Sequence, residues 1–237
     1  MMKSLGVKEY FDKYAKEYIG QERYGFKWYK WLVDEIIREA SPRKGQRILD
    51  LGTGTGILAV KMSRQVGGGG LILGIDASGK MLGAARQAVK NGGLKNVRFR
   101  RGLIEDMDFP PDSFDTVVTN LALDHVQDIG SVLVKARGCL RRNGRLVIGL
   151  FFMPEEAHLD AVLRMRRRNP LKAREADSDW QDFINTGVSE GYRDQHPEER
   201  EIGQLGLKRL MEKAGFVNVK IIMSYKPEVS VLSGVKR

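Results

Sequence analysis

Residues 48–56 read Ile48-Leu49-Asp50-Leu51-Gly52-Thr53-Gly54-Thr55-Gly56, and an apolar helical pattern follows at residues 57–66. Apolar residues that run into closely spaced glycines and then into a helical pattern predict a strand, a tight turn and a helix N-terminus. Glycine allows backbone dihedrals that are closed to other residues and lets the main chain approach a ligand, and the first N–H groups of the helix face the same point. We therefore expect this turn to hold a nucleotide-like cofactor.

The spacing of these glycines differs from that of turns that bind dinucleotides. The order here is G-x-G-x-G, and Ile57 occupies the position at which the dehydrogenase fingerprint G-x-G-x-x-G has its third glycine. This difference argues against NAD and FAD.

A second apolar run, residues 70–76, ends in a carboxylate. This residue, Asp76, lies 24 residues after Gly52. An acidic group at the tip of the second strand, at about this separation, is placed to accept hydrogen bonds from the two hydroxyls of a ribose. The sequence therefore predicts a cofactor with a free ribose diol.

An acidic loop at residues 102–109 and a fourth apolar strand near residues 116–120 continue the series. The ordered set resembles the class I S-adenosylmethionine-dependent methyltransferases over residues 45–152, and within them the small-molecule (type 11) group that includes the ubiquinone and menaquinone biosynthesis enzymes. The motifs that carry the resemblance are residues 48–56, Gly74-Ile75-Asp76-Ala77-Ser78-Gly79-Lys80-Met81-Leu82, Phe109-Pro110-Pro111-Asp112-Ser113-Phe114-Asp115 and Leu140-Arg141-Arg142-Asn143-Gly144-Arg145-Leu146.

The resemblance implies S-adenosylmethionine as the cofactor and assigns its parts to particular residues. The methionine part would lie against the glycine turn above Asp50, its amino group would be flanked by residues 120 and 121, and Asp76 would bind the ribose. Residues 77 and 81 would pack on the adenine, and the backbone N–H of residue 104 would bond to the ring. The implied cofactor-binding residues are Asp50, Gly52, Thr53, Gly54, Gly56, Asp76, Ala77, Met81, Ile104, Glu105, Asn120 and Leu121.

One position departs from the family pattern. The family often has an aspartate that bonds to the adenine amino group where this chain has Leu103. Either Glu105 or Asp106 replaces it, or the bond is absent.

The alternation of strands and helices between residues 47 and 152 predicts a doubly wound α/β sheet. The resemblance implies a Rossmann-like sheet of seven strands, mostly parallel, with an antiparallel last strand. Helix stops are expected at Asn91-Gly92-Gly93 and Asn143-Gly144, and Asp128 is expected to cap the next helix. We expect a single methyltransferase domain, residues 1–237, composed of an N-terminal helical cap at 1–44, a cofactor-binding core at 45–152, a substrate-lid insertion at 153–202, and a C-terminal helix and hairpin at 203–237.

Methyl transfer from a sulfonium depends chiefly on positioning and on the exclusion of water, so the sequence assigns no catalytic residue. His125 is a substrate-side candidate because it follows the end of the fourth strand, where open α/β sheets bind ligands. Tyr14 and Tyr18 share one helix face and either close over the sulfonium or the acceptor, or pack the helix onto the core. Three further aromatic residues either line a lid for an apolar or aromatic acceptor or form a packed cap with Phe26 and Leu32; they are Trp28, Tyr29 and Trp31.

Composition restricts the partners. The formal net charge is +10 and the pI is about 9.7, so nucleic acid must be considered. Residues 153–202 nevertheless contain eight Lys or Arg against twelve Asp or Glu, and the cluster of Arg137, Arg141, Arg142 and Arg145 is typical of a solvated helix end. We therefore expect a small organic acceptor, with nucleic acid not favoured and no metal.

The remaining features point to a cytoplasmic enzyme. No apolar run approaches the ~20 residues of a membrane span, and the N-terminal residues do not have the apolar segment of a signal peptide. The single cysteine, Cys139, falls in the apolar pattern of a helix and is expected to be buried.

Two other functions stay open: an RNA- or protein-modifying methyltransferase that uses the basic surface, and a cofactor-binding regulator without turnover. A quinone acceptor is unsupported, since the N-terminal signature of the quinone enzymes is missing around residues 18–21, and their acidic residue is missing at residues 149–152.

Overall fold

The computed structural model describes residues 6–13, 15, 27–151, 167–172, 174, 203–223 and 229–237. The helices are α1 (Val7–Lys13), α2 (Lys27–Ala40), α3 (Ile57–Val66), α4 (Gly79–Asn91), α5 (Ile129–Cys139) and α6 (Gln204–Lys213), with a 3₁₀ turn at Leu123–His125. The strands are β1 (Arg47–Leu51), β2 (Leu71–Asp76), β3 (Val97–Arg101), β4 (Phe114–Asn120), β5 (Leu140–Phe151), β6 (Phe216–Met223) and β7 (Val229–Lys236).

The seven strands form one sheet in the order β3-β2-β1-β4-β5-β7-β6. Strands β1 to β5 are parallel, whereas β7 runs antiparallel to both of its neighbours, β5 and β6. This arrangement confirms the predicted fold class, including the inserted antiparallel last strand. The order reverses between β1 and β4, and in open α/β sheets the crevice at such a point binds ligands.

A hydrophobic cluster covers each face of the sheet. On one face, α5 and α6 contribute Leu133, Ala136 and Met211 to the buried cluster. On the other face, α2 and α3 contribute Leu32 and Met62. Parallel strands that are buried on both faces require long apolar runs, which is why β1 reads as an almost continuous apolar segment.

The helix boundaries largely follow local signals. Asp128 accepts a hydrogen bond from the backbone N–H of Ser131 (3.0 Å), so the predicted cap of α5 is confirmed. The helix stop predicted at Asn143-Gly144 is wrong, because α5 ends at Cys139 and β5 begins at the next residue. Asn143 instead has a positive φ of 62° within an irregular stretch of β5.

Arginines form hydrogen bonds to neighbouring elements at the end of the sheet where β1 and β4 begin. Asp115 accepts hydrogen bonds from the backbone N–H of Arg47 (2.7 Å) and from Nη1 of Arg141 (2.9 Å). Arg145 donates to the carbonyl of Glu39 (2.7 Å). We call the end of the sheet at which the parallel strands begin the amino end, and the end at which they finish the carboxyl end.

The predicted solvated arginine cluster is therefore only partly correct. Arg137 donates to the carbonyl of Gly215 (3.0 Å), and Arg141 and Arg145 make the contacts given above. Arg142 is exposed. Cys139 is 2% exposed, as predicted. Among the described residues, no helix has the length and apolar character needed to cross a bilayer.

Candidate functional site

A cleft opens at the carboxyl end of the sheet, above the point where the strand order reverses. It encloses about 960 Å³, including space open to solvent. Eleven of the twelve predicted cofactor-binding residues line it, and Gly56 is the exception. The cleft is also lined by Tyr29 and Leu103, which the sequence analysis considered, and by residues that it did not assign, namely Val7, Phe11, Thr55, Ile57, Leu58, Ala122 and Val126.

The glycine turn after β1 forms the floor of the cleft. Gly52 has φ 68°, and a Cβ there would lie 2.3 Å from Cβ of Ala122, so only glycine lets the two loops approach. Gly56 has φ 82°, and a Cβ there would lie 3.0 Å from Cβ of Ala85. Gly56 therefore serves the packing of α3 against α4, whereas Gly52 shapes the cleft itself.

Asp50 lies beneath this turn and is 1% exposed. Its Oδ2 accepts a hydrogen bond from Oγ1 of Thr53 (2.6 Å). Burial raises the pKa of Asp50 to about 7; the hydrogen bond from Thr53 opposes this shift, and the nearby Asp76 carboxylate adds to it. The floor of the cleft thus holds a carboxyl group whose negative charge is costly until a cation approaches.

Asp76 ends β2 and connects three parts of the site. Its Oδ2 accepts the backbone N–H of Gly54 and its Oδ1 accepts the backbone N–H of Ser78, both at 2.8 Å. Burial raises its pKa, against the effect of these two hydrogen bonds. The carboxylate is therefore oriented by the glycine turn and by the start of α4, and it lines the cleft as predicted.

Asn120 and Leu121 follow β4 on another side of the cleft. Oδ1 of Asn120 is buried and has no hydrogen-bond partner among the residues that the structure describes. Leu121 has φ 52°, and its backbone N–H donates to the carbonyl of Gly149 (2.8 Å). A buried acceptor beside the cleft calls for a donor from a ligand, and the ammonium of S-adenosylmethionine would supply one. The residues present therefore fit this cofactor.

The connection from β3 to β4 forms the rim where the adenine contact is expected. Glu105 lines the cleft, and its Oε1 accepts the backbone N–H of Gln127 (3.4 Å). Asp106 is exposed and does not line the cleft. Leu103 lines the rim with 41% of its surface exposed. Of the two acidic residues that the sequence left open, Glu105 is thus the one placed at the cleft.

Helix α1 closes the cleft from above, and sequence reasoning missed its contacts. The ring of Phe11 meets His125 edge to face, with centroids 4.9 Å apart, and both residues line the cleft. Asp12 accepts a hydrogen bond from Oγ of Ser78 (2.6 Å), which lowers the pKa of Asp12. Phe11 and Val7 are four residues apart, and this spacing was the available signal.

Some predicted residues cannot be compared with the structure. Tyr14 and Tyr18 lie outside the described residues, as does most of the predicted lid.

Trp28 is buried in the packed cluster on α2, which favours the packed-cap interpretation for this residue. Tyr29 packs against the same cluster and also lines the cleft.

Comparisons with known proteins agree with this geometry. Residues 42–215 match the family model described as a methyltransferase domain. The chain is 31% identical over 200 residues to the ubiquinone/menaquinone biosynthesis C-methyltransferase UbiE of Vibrio campbellii, covering 81% of this chain and 71% of that one. It is 32% identical over 149 residues to the uncharacterized methyltransferase YcgJ of Bacillus subtilis, covering 62% of this chain and 58% of that one.

Solved structures show the same fold. A SAM-dependent methyltransferase of Thermotoga maritima superposes with a TM-score of 0.62 at 19% identity, covering 98% of this chain and 100% of that one. One from Aquifex aeolicus superposes with a TM-score of 0.61 at 18% identity, covering 86% of this chain and 89% of that one.

Proposed function

The chain belongs to the class I S-adenosylmethionine-dependent methyltransferases, and from this premise we propose that it methylates a small organic acceptor by in-line displacement. One observation carries the proposal. Beyond the cofactor-binding residues, the cleft is lined by apolar and aromatic side chains, among them Val7, Phe11, Tyr29 and Val126. An enclosed apolar wall with few polar groups is typical of small-molecule sites. The activity of the relative UbiE, a C-methyltransferase of quinone biosynthesis, supports the same class of acceptor.

We propose that different residues of the cleft bind the ribose, the ammonium group and the adenine of the cofactor. Asp76 accepts hydrogen bonds from the ribose hydroxyls, because it is a half-buried carboxylate that lines the cleft and forms no ion pair with a cation of the described chain. Oδ1 of Asn120 accepts the ammonium of the methionine part. Ala77, Met81 and the backbone of Ile104 enclose the adenine, with Glu105 at its edge.

When bound, the cofactor supplies an electrophilic methyl group on a sulfonium. The protein holds the acceptor against it and excludes water, a role for which the wall of Phe11 and Tyr29 is suited. His125 is the polar side chain of this wall, and we propose that it orients the acceptor or takes its proton where the acceptor must lose one.

Incubation of the protein and cell extract with methyl-labelled S-adenosylmethionine tests the proposal. We expect the label in the metabolite or lipid fraction. Label in RNA or protein would support a macromolecular acceptor instead, and cofactor binding without any labelled product would support a regulator. Asp76→Arg should abolish labelling, since it places a cation at the ribose position.

Asp108→Arg is the matched control. Asp108 is exposed on the same connection as Glu105 and does not line the cleft, so this variant makes an equal change of charge outside the site. It should label the same fraction as the wild type. Equal loss in the two variants would show that charge rather than the ribose contact is responsible.

A further inference from the structure

The segment of α4 and β3 is basic along its whole length. Residues 77–101 contain seven Lys or Arg and no Asp or Glu. All seven side chains are exposed. We call this set the basic edge, and its members are Lys80, Arg86, Lys90, Lys95, Arg98, Arg100 and Arg101.

The fold gathers these residues at one edge of the sheet. On α4, Lys80, Arg86 and Lys90 are exposed, whereas Leu82 and Ala85 are buried, and the three basic residues extend over about 15 Å of helix. Strand β3 is the outermost strand. The basic edge therefore covers the outer surface of α4 and continues onto the outermost strand, β3.

On β3 the arginines alternate with core residues. Val97 is buried and Phe99 is half-buried, whereas Arg98 and Arg100 between and after them are exposed. Successive residues of a strand point to opposite faces. Arg98 and Arg100 therefore carry the positive charge to the face of the sheet opposite α4.

These charges are not neutralised by the described part of the chain. None of the seven side chains forms an ion pair with a carboxylate there. Arg98 donates to the carbonyl of Lys95 (2.8 Å), and Arg101 to that of Ala77 (3.2 Å). Asp12 faces the cleft end of the edge, where the positive charge of Arg101 helps to lower the pKa of Asp12.

The uncharged side chains of this surface indicate which polyanion fits it. The ring of Phe99 packs toward Ala85, and that of Phe109 lies beneath the guanidinium of Arg100 at 4.4 Å. The described basic edge therefore offers no exposed aromatic face for stacking on single-stranded bases and no apolar residue for insertion into a lipid surface. It presents a row of Lys and Arg side chains, and such cations contact the phosphates along a double helix.

We infer that the basic edge binds the phosphate backbone of double-helical nucleic acid without reading its sequence. The inference goes beyond the proposed function, since the edge lies outside the wall of the cleft formed by Phe11, Tyr29 and His125. A duplex held there anchors the enzyme and is not the methyl acceptor. Phosphate contacts of this kind position a protein and carry no sequence information.

The test is the salt dependence of binding to a short DNA duplex of mixed sequence. The edge variant combines Arg86→Glu, Lys90→Glu, Lys95→Glu and Arg98→Glu, and leaves Lys80 and Arg101, which adjoin the cleft, intact. Loss of four phosphate contacts should reduce the slope of log K against log salt by about 3 to 4 and weaken binding by about 100-fold at moderate salt. Two duplexes of different sequence should bind alike.

The matched control makes the same change of net charge in the other half of the sheet, at one position on β5 and three on α6 and β6. It combines Arg142→Glu, Arg209→Glu, Lys213→Glu and Lys220→Glu, all at exposed positions. The control should bind the duplex within about threefold of the wild type and keep most of the salt slope.

Three results would overturn the inference. The first is equal loss in the two variants, which would show that total charge is responsible. The second is a wild type that binds no duplex at low salt. The third is a wild type that binds vesicles of phosphatidylserine and phosphatidylcholine more tightly than duplex, which would assign the edge to a membrane surface. Cofactor affinity measured on each variant shows that it is folded, and the acceptor experiment stays independent because it does not use these variants.

Discussion

The two ends of the sheet use the same kinds of residue in opposite ways. At the amino end, the carboxylate of Asp115 is neutralised by Arg141 and bonded to the backbone of Arg47. At the carboxyl end, Asp50 is buried and Asp76 is half-buried, and both accept only hydroxyl or backbone N–H groups among the described residues. Buried carboxylates without a cation cost folding free energy. The unpaired carboxylates at the carboxyl end therefore lower the free energy of unfolding but stay complementary to a ligand, whereas the paired carboxylate at the amino end stabilises the fold.

Glycine with a positive φ shows the same division. Gly45, at the amino end, has φ 82° and open space where a Cβ would lie. Gly52, at the carboxyl end, has φ 68° and the methyl group of Ala122 in that space. One glycine satisfies only the backbone, whereas the other also brings two loops together around the cleft.

The largest expected effect comes from Gly52→Ala, with Gly45→Ala as its partner. Both variants place Cβ at a positive φ, which costs about 1–2 kcal/mol of the free energy of unfolding. Gly52→Ala also forces Ala122 and the glycine turn apart, so the total cost should reach about 3 kcal/mol, and cofactor affinity should fall by more than about 100-fold. Denaturant unfolding and calorimetric titration measure the two quantities. Equal cofactor affinity in the two variants would contradict the view that Gly52 shapes the cleft and Gly45 does not.

The next effect concerns Asp50 and pH. Its pKa in the folded protein is about 7, above the ordinary value of 3.8 for an aspartate, so the folded state binds more protons than the unfolded state between these values. The free energy of unfolding should therefore decrease as pH rises through this window, by up to about 1.4 kcal/mol per pH unit and on the order of 4 kcal/mol in all. Asp50→Asn removes this pH dependence, so the free energy of unfolding of the variant relative to that of the wild type should increase with pH and be most favourable at pH 8. Asp76 keeps a contribution of the same sign, because its pKa is also raised.

Thermal unfolding between pH 4 and pH 8 measures this difference. Saturating S-adenosylmethionine should flatten the wild-type profile, because a cation near Asp50 favours the ionised carboxyl. Parallel profiles for the wild type and Asp50→Asn would show that the carboxyl does not titrate in this window.

A smaller effect is expected from two Asp→Asn substitutions, one at each end. Asp76→Asn loses a charged acceptor for the ribose and for two backbone N–H groups, and should weaken cofactor binding by about 10- to 100-fold. Asp115→Asn loses the pairing with Arg141 and should lower the free energy of unfolding by about 1 kcal/mol, with cofactor affinity unchanged. The opposite assignment of the two losses would overturn the comparison.

The carboxyl end was largely predictable from the sequence because its signals are local. The glycines after β1, the carboxylate that ends β2 and the residues after β4 all follow apolar strands, and parallel strands bring such tips to one edge. Eleven of the twelve predicted cofactor-binding residues line one cleft, although their individual contacts stay predictions.

What the sequence did not predict depends on contacts between distant residues. Asp12 meets Ser78 across 66 positions, and Arg47 meets Asp115 across 68. Neither pairing leaves a periodic signal, since each is fixed by how helices and strands pack and not by local propensity. The helix stop predicted at Asn143-Gly144 was wrong for a related reason: the dipeptide has the composition of a helix stop but lies in an irregular stretch of β5. The division into cap, core, lid and C-terminal segment stays a prediction.

The smallest expected effect comes from the thiol of Cys139, at the closed amino end. Burial raises its pKa to about 11, and its Sγ lies 3.3 Å from the carbonyl of Ala136, to which the thiol donates. The folded protein should therefore not react with a thiol reagent at pH 8, and should react fully in denaturant. Leu103→Cys places a second thiol on the cleft rim, at a side chain that is 41% exposed. This thiol should react in the folded protein and be protected by S-adenosylmethionine, because Leu103 lines the cleft. Rapid reaction of Cys139 in the folded wild type, or equal reaction at Leu103→Cys with and without the cofactor, would mean that the two ends do not differ in access.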